Sequence, residues 1–291
     1  MQVLAPDEWA ARRDAHEARV APWVDPHLDR AVRREKHPVL DFLFTYYNNS
    51  PGALRRWHPG AGVVLAGDPP HREWSGYVAR ESGVTADTSL TGKRGQIARD
   101  TLALLQATAA RRPVFGCHGM HEWAMVYRAP EVRHSTFPLR LAPAELEAVV
   151  ESAPLRCTHF DAFRFFTEPA RPLNVLTPSR AAMPELEQGG CLHTNMDLYK
   201  HAYRLVPLVP SELVADCFEL AREIRMLDMQ ASPYDLTELG YQPIPIETPE
   251  GKQRYVEAQR AFADRAAVLR ERLIAACAPV LATAERQGCK S

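Results

Sequence analysis

Through most of its C-terminal third the chain spaces apolar side chains close to the helical period, which constrains its fold more than any other feature. Residues 211–229 and 249–286 carry apolar positions three and four apart, the second stretch being rich in Ala and Arg. Ser211 stands where an N-cap belongs, and Pro279 predicts a break of 249–286 into two helices. The same spacing predicts helices over 95–112 and 194–205, and over 144–152 with Pro143 at the first position. Near the N-terminus it predicts a helix over 8–20, capped by Asp7 and interrupted by Pro22 and Pro26, then a second over 28–35. Residues 37–47 read as a helix start with a dense aromatic face.

The centre is less regular. Residues 60–92 are rich in Gly, Pro and small polar residues and read as a long loop or lid holding one strand; residues 132–141 read as extended. There is no internal repeat. The expectation is a mainly α protein: one helical domain over 1–291, with an irregular, loop-rich central section, a few short strands, and a C-terminal helical segment over 249–287.

Charge and cysteine usage narrow the class. A net charge of −1 weighs against nonspecific nucleic-acid binding, which needs a basic excess. No apolar run reaches membrane-spanning length, and the first residues lack the apolar core of a signal peptide, so a cytoplasmic protein with no membrane partner is expected. Its six cysteines are then expected as thiols or ligands rather than disulfides. P-loop, Rossmann glycine and serine-elbow patterns are absent.

Chemistry concentrates in three stretches, each introduced by a cysteine: Cys117-His118, Cys157-x-His159 and Cys191-x-His193. In the first, a helix over 118–128 would put His118, His121 and Glu122 on one face and Met120, Trp123 and Tyr127 on the other. The second pairs His159 with Asp161. The third places His193, Asp197 and His201 at four-residue steps, one stripe of a helix. With His134, six of the eleven histidines fall between positions 118 and 201. For a lone buried histidine such as His134 or His201, a hydrogen-bonded core role is the commoner outcome. Three His–carboxylate pairs together point to a site, with His118 in a supporting place.

Two chemistries fit. His121, Glu122, His159, Asp161, His193 and Asp197 are the donor types from which helical proteins build iron, manganese or zinc centres, including oxygenases, although the spacing matches no standard metal motif. Without a metal or other cofactor, Asp161 or Asp197 beside a histidine would suit hydrolysis of an N-glycosidic bond. A carboxylate there steadies an oxocarbenium-like transition state or activates water, and a polar partner such as His121, His159 or His193 holds the departing base. Tyr46, Tyr47, Arg55, Arg56, Trp57 and Trp123 would then supply stacking and phosphate contacts to DNA or a nucleoside, the bland reading being an aromatic face packed inward. A third reading is a noncatalytic binding protein whose polar residues form a buried network.

Long strings across residues 5–270 resemble one bacterial, largely actinobacterial, family. They include HPVLDFLFTYYNNSPGALRRWHPG, GCHGMHEWAMVYR, RHSTFPLRL, CTHFDAFRFF, GCLHTNMDLYKHAYRLVPLVPSELVADCFELAREIRMLDMQASPYDL and PIPIETPEGKQRYVEAQRAF. The family is known as 3-methyladenine DNA glycosylase. The resemblance implies a hydrolase of DNA repair that excises an alkylated base. The glycine-rich hairpin of helix-hairpin-helix glycosylases and the paired helices of the HEAT-repeat type are both missing here.

Overall fold

A computed structural model describes residues 1–130 and 137–288, without the side chains of 279 and 283–288. The chain is mainly α: 57% helical, with eleven α-helices and one four-stranded sheet among the described residues. It falls into two compact units. The first comprises residues 1–106, 197–221 and 268–291; the second comprises 107–196 and 222–267. No helix among the described residues is long and apolar enough to cross a membrane.

In the first unit, strand β1 (Gln2–Leu4) leads into helix α1 (Pro6–Val32). Pro6 occupies the first helical turn, where its missing N–H costs nothing, and Glu8 reaches back to accept from the Ala5 N–H at 2.8 Å. Helix α1 runs unbroken past Pro22 and Pro26, against the two helices that its prolines suggest, and Ala5 rather than Asp7 caps it. Each proline removes one backbone bond. Its buried face, Trp9, His16, Val20 and Val24, holds the helix regular across that loss. Short helices α2 (Phe42–Tyr46) and α3 (Pro51–Arg55) follow, and Ser50 caps α3 by accepting from the Ala53 N–H at 3.1 Å.

The segment expected as a long loop or lid with one strand holds three, β2 (Val63–Leu65), β3 (Tyr77–Arg80) and β4 (Gly83–Ala86). The sheet order is β1-β2-β4-β3, with β1 parallel to β2 and the other pairs antiparallel. Strands of three or four residues are too short to show alternation over a readable window, which is why the sequence hides them. Gly83 has φ +143°, and a Cβ there would stand 2.1 Å from the Leu65 carbonyl oxygen, so only glycine fits that edge of the hairpin. Leu4 and Leu65 of the sheet pack with Trp9 and Trp57 as one buried cluster.

The second unit contains α5 (Met120–Val126), α6 (Pro143–Ser152), α7 (Phe160–Phe163) and α8 (Met183–Leu186). Helices α4 (Gly92–Ala109), α9 (Leu192–Arg204), α10 (Ser211–Gln230) and α11 (Pro249–Gly288) contribute residues to both units. The last continues through Pro279 as one helix, against the expected break. Ser211 is not a cap of its own helix: its hydroxyl accepts from the His58 N–H and donates to the Arg56 carbonyl. Of the stretch expected as extended, 132–136 and therefore His134 lie outside the described residues, while Leu139 pairs antiparallel with Tyr234.

Candidate metal centre

The first chemical stretch folds differently from a continuous helix over 118–128. His118 and Gly119 both have positive φ, 46° and 73°, so the chain turns sharply and α5 begins only at Met120. A Cβ at residue 119 would lie 3.1 Å from the Tyr255 ring, a second reason for glycine. His118 therefore shares no helical face with His121 and Glu122. In α5 every residue except Met125 is buried, so His121 and Glu122 must find polar partners inside the protein.

Those partners come from α10. Asp228 Oδ1 stands 2.9 Å from His121 Nε2. Arg225, three residues earlier on the same helical face, donates through Nη1 to Asp228 Oδ2 and to Glu122 Oε1, each at 2.8 Å. Glu122 is thereby committed to the guanidinium, and its carboxylate is 4.0 Å from His121 Nε2. The perpendicular His193 ring, from the first turn of α9, lies 4.1 Å from the His121 ring centre to centre.

His121, His193 and Asp228 each offer one donor atom, and the three atoms lie within 4.8 Å of one another. Two ligands each about 2.1 Å from one ion stand about 3 Å apart at a right angle and about 4.2 Å apart when opposite, so the set closes on a cation by side-chain adjustment alone. At 2.9 Å, His121 Nε2 and Asp228 Oδ1 form a buried ion pair whose hydrogen-bond angles are poor.

The surrounding charges favour protonated His121, and a metal ion bound there would have to displace that proton. Burial opposes charge on His121, but Asp228 first and Glu122 second outweigh it, and the His121 pKa is raised. Burial likewise opposes ionisation of Asp228, yet His121, Arg225 and His193 hold its carboxyl well below the usual range.

His159 caps α7, its Nδ1 accepting from the Ala162 N–H at 3.2 Å, so the ring proton sits on Nε2. That Nε2 is 3.7 Å from Glu187 Oε1, with both side chains 1% exposed, and the ring stacks on His193 at 5.5 Å. His159, beside Glu187, thus packs its ring on that of His193.

A cavity of about 230 Å³ opens beside the centre and is lined by His121 and His193 together with Leu155, Phe166, Val175 and Tyr255. Cys117, Cys157 and Cys191, which introduce the three chemical stretches, all line it too. Burial raises all three thiol pKa values, that of Cys191 to about 12, so they stay protonated and behave as soft apolar walls. The Tyr255 hydroxyl is fully buried and has no hydrogen-bond partner among the described residues, and the same holds for Gln259 Oε1 one turn further along α11.

The remaining residues singled out in the sequence are placed elsewhere. Asp161 lies 3.4 Å from Arg164 on the edge of α7. Asp197 belongs to the first unit, where the Tyr47 hydroxyl donates to it at 2.7 Å and Lys200 pairs with it; His201 is buried in that unit as well. Tyr46 stacks on Phe42. Arg55 pairs with Asp25, and Arg56 lies 5.5 Å above the Trp74 ring. Trp57 and Trp123 are 0% exposed, with indole N–H groups bonded to Glu212 and to the Ala231 carbonyl, and they act as core. Asp228 and Arg225 were missed. The signal was the stripe Val214, Cys217, Ala221, Ile224, Asp228 at steps of three and four, which puts a carboxylate in register with core positions.

No protein-family model, curated protein or solved structure matches the chain.

Proposed function

We propose that the chain is a metal-dependent enzyme acting on a small molecule, with His121, His193 and Asp228 as the ligands of one divalent first-row metal ion. The observation that carries the reading is the two-histidine, one-carboxylate set at the wall of an apolar cavity, with His121 and Asp228 buried, His193 partly so, and one donor atom of each within 4.8 Å of the others. Three protein ligands leave positions open to substrate or water, which distinguishes a catalytic from a closed structural site. This donor set suits iron(II) above all, and zinc or manganese next; bound there, the ion supplies Lewis-acid or oxygen-activating chemistry. Arg225 fixes the Asp228 carboxylate so that Oδ1 faces the histidines, and Glu122 fixes Arg225. The apolar walls and protonated thiols keep bulk water from the reacting molecule.

Base release from alkylated DNA needs a carboxylate free to act at the sugar. Asp161 lies against Arg164, and Asp197 is held by Tyr47 and Lys200, so the metal reading has the better support. Elemental analysis of protein purified without chelator tests it. About one equivalent of iron, manganese or zinc, lost in His193→Ala and in Asp228→Asn, is expected. A protein that neither retains these ions nor gains thermal stability when they are added overturns it.

A further inference from the structure

Tyr255 is the residue that the metal set leaves unexplained. Its ring and hydroxyl are 0% exposed, it lines the cavity beside His121 and His193, and its O–H has no hydrogen-bond partner among the described residues. The ring is pinned by Gly119, whose missing side chain leaves room for it. A buried hydroxyl left unbonded costs free energy, and a ligand that accepts from it recovers that cost. Burial pushes the Tyr255 pKa well above its ordinary value, so at neutral pH the phenol keeps its O–H and can donate it.

Two further features define the ligand. Leu155, Phe166, Val175 and Leu176 give the cavity an apolar body, and at about 230 Å³ it lies below the roughly 300–1,000 Å³ of ordinary ligand pockets, so the occupant is small. Arg156 also lines it, solvent-exposed, and no carboxylate among the described residues pairs with its guanidinium. A cation, a buried O–H donor and an open metal position all favour an anionic oxygen group on an apolar frame.

Resting on the metal reading above, we propose that this cavity binds a small, largely apolar carboxylic acid whose oxygen atoms accept from Tyr255 and enter the open side of the metal centre, with Arg156 attracting the anion. Tyr255 is then a substrate-contacting residue of the site.

The test uses the full chain loaded with cobalt(II), whose visible absorption reports ligand entry. Benzoate is the probe, with neutral benzamide and small acetate as controls. Benzoate is expected to shift the spectrum and to bind at least about tenfold more tightly than either control. Tyr255→Phe is expected to weaken benzoate at least about threefold, the factor given by loss of one hydrogen bond, while its Tm stays at or above that of the parent. Arg156→Gln is expected to weaken benzoate but not benzamide. A protein that takes up no metal overturns the metal reading and this proposal with it. Metal uptake with no preference for benzoate over benzamide overturns this proposal alone. A Tyr255→Phe variant that loses stability and keeps its benzoate affinity shows a structural tyrosine and also overturns it.

Discussion

Arg225→Met is the most direct test of the way the centre is assembled. The side chain is 3% exposed and donates to two buried carboxylates, Glu122 and Asp228, at 2.8 Å each. Methionine keeps the volume and removes the charge. Two buried acids then face each other's field with one cation fewer, which leaves them to take up protons or to pull water inward. Truncating one member of a buried, hydrogen-bonded charge cluster costs about 3–5 kcal/mol. At roughly 2–3 °C per kcal/mol for a chain of this size, the Tm should fall by about 10 °C.

The assay is urea and thermal unfolding of the parent, Arg225→Met, Glu122→Gln and the double variant, all without metal. Glu122→Gln removes one charge and keeps an amide oxygen for Arg225, so it should cost less, about 1–2 kcal/mol. Because both substitutions strike one network, the double variant should be less damaged than their sum by about 1–3 kcal/mol. A loss under about 1 kcal/mol for Arg225→Met, or strict additivity, would refute the reasoning. The cluster would then be solvated and would hold Asp228 in no fixed orientation.

Two other outcomes follow from the first unit. Asp41 is buried and accepts from Arg30 Nη2 at 2.6 Å, from His27 and from the His37 N–H; burial opposes its charge, but Arg30 and His27 outweigh burial and lower its pKa. A depressed folded-state pKa means that this contribution is present above the unfolded value near 3.9 and is lost as pH falls through the folded one; Asp41→Asn should therefore flatten the acid limb of a stability–pH profile below about pH 4, and an unchanged limb would contradict the assignment. Gly83→Ala puts a Cβ 2.1 Å from the Leu65 carbonyl at φ +143° and should destabilise by about 2 kcal/mol or more, read as a lower urea midpoint at unchanged slope.

The mainly α class was legible in the sequence because long helices repeat their signal: α10 and α11 span 20 and 40 residues, enough turns for the period to stand out. Single prolines misled at Pro22, Pro26 and Pro279, since burial of the rest of a long helix outweighs one lost backbone bond. The sheet was legible only as a few short strands, without their number or order, because each has three or four residues. The aromatic and basic cluster over 46–57 carried no positional information, and Trp57 proved to be core for the ordinary reason that large apolar rings are buried.

The centre was half legible, and the missing half has a geometric cause. His121 and Glu122 are neighbours in sequence, and neighbours on a helix point about 100° apart. They cannot both face one point, so a carboxylate able to share a cation with His121 has to come from another element. It comes from Asp228 on α10, while Glu122 faces sideways to Arg225. Under the proposed metal reading, adjacency in sequence marked the helix but not the acid that faces His121. The same geometry explains His193: the step of four that suggested a single stripe with Asp197 and His201 holds along α9, yet the rings that His193 meets within the second unit include those of His121 and His159, from other elements. Ligand sets assembled across helices leave only one trace in a single sequence, a charged residue standing in a core register. Asp228 is that trace, and its substitution by Asn removes the anion without changing the shape, which makes it the sharpest single discriminator between a metal ligand and a buried ion-pair partner. As a ligand, Asp228→Asn abolishes metal-dependent stabilisation, worth about 2.7 kcal/mol at a hundredfold excess of metal over Kd in the parent. As an ion-pair partner alone, it lowers stability equally with and without metal.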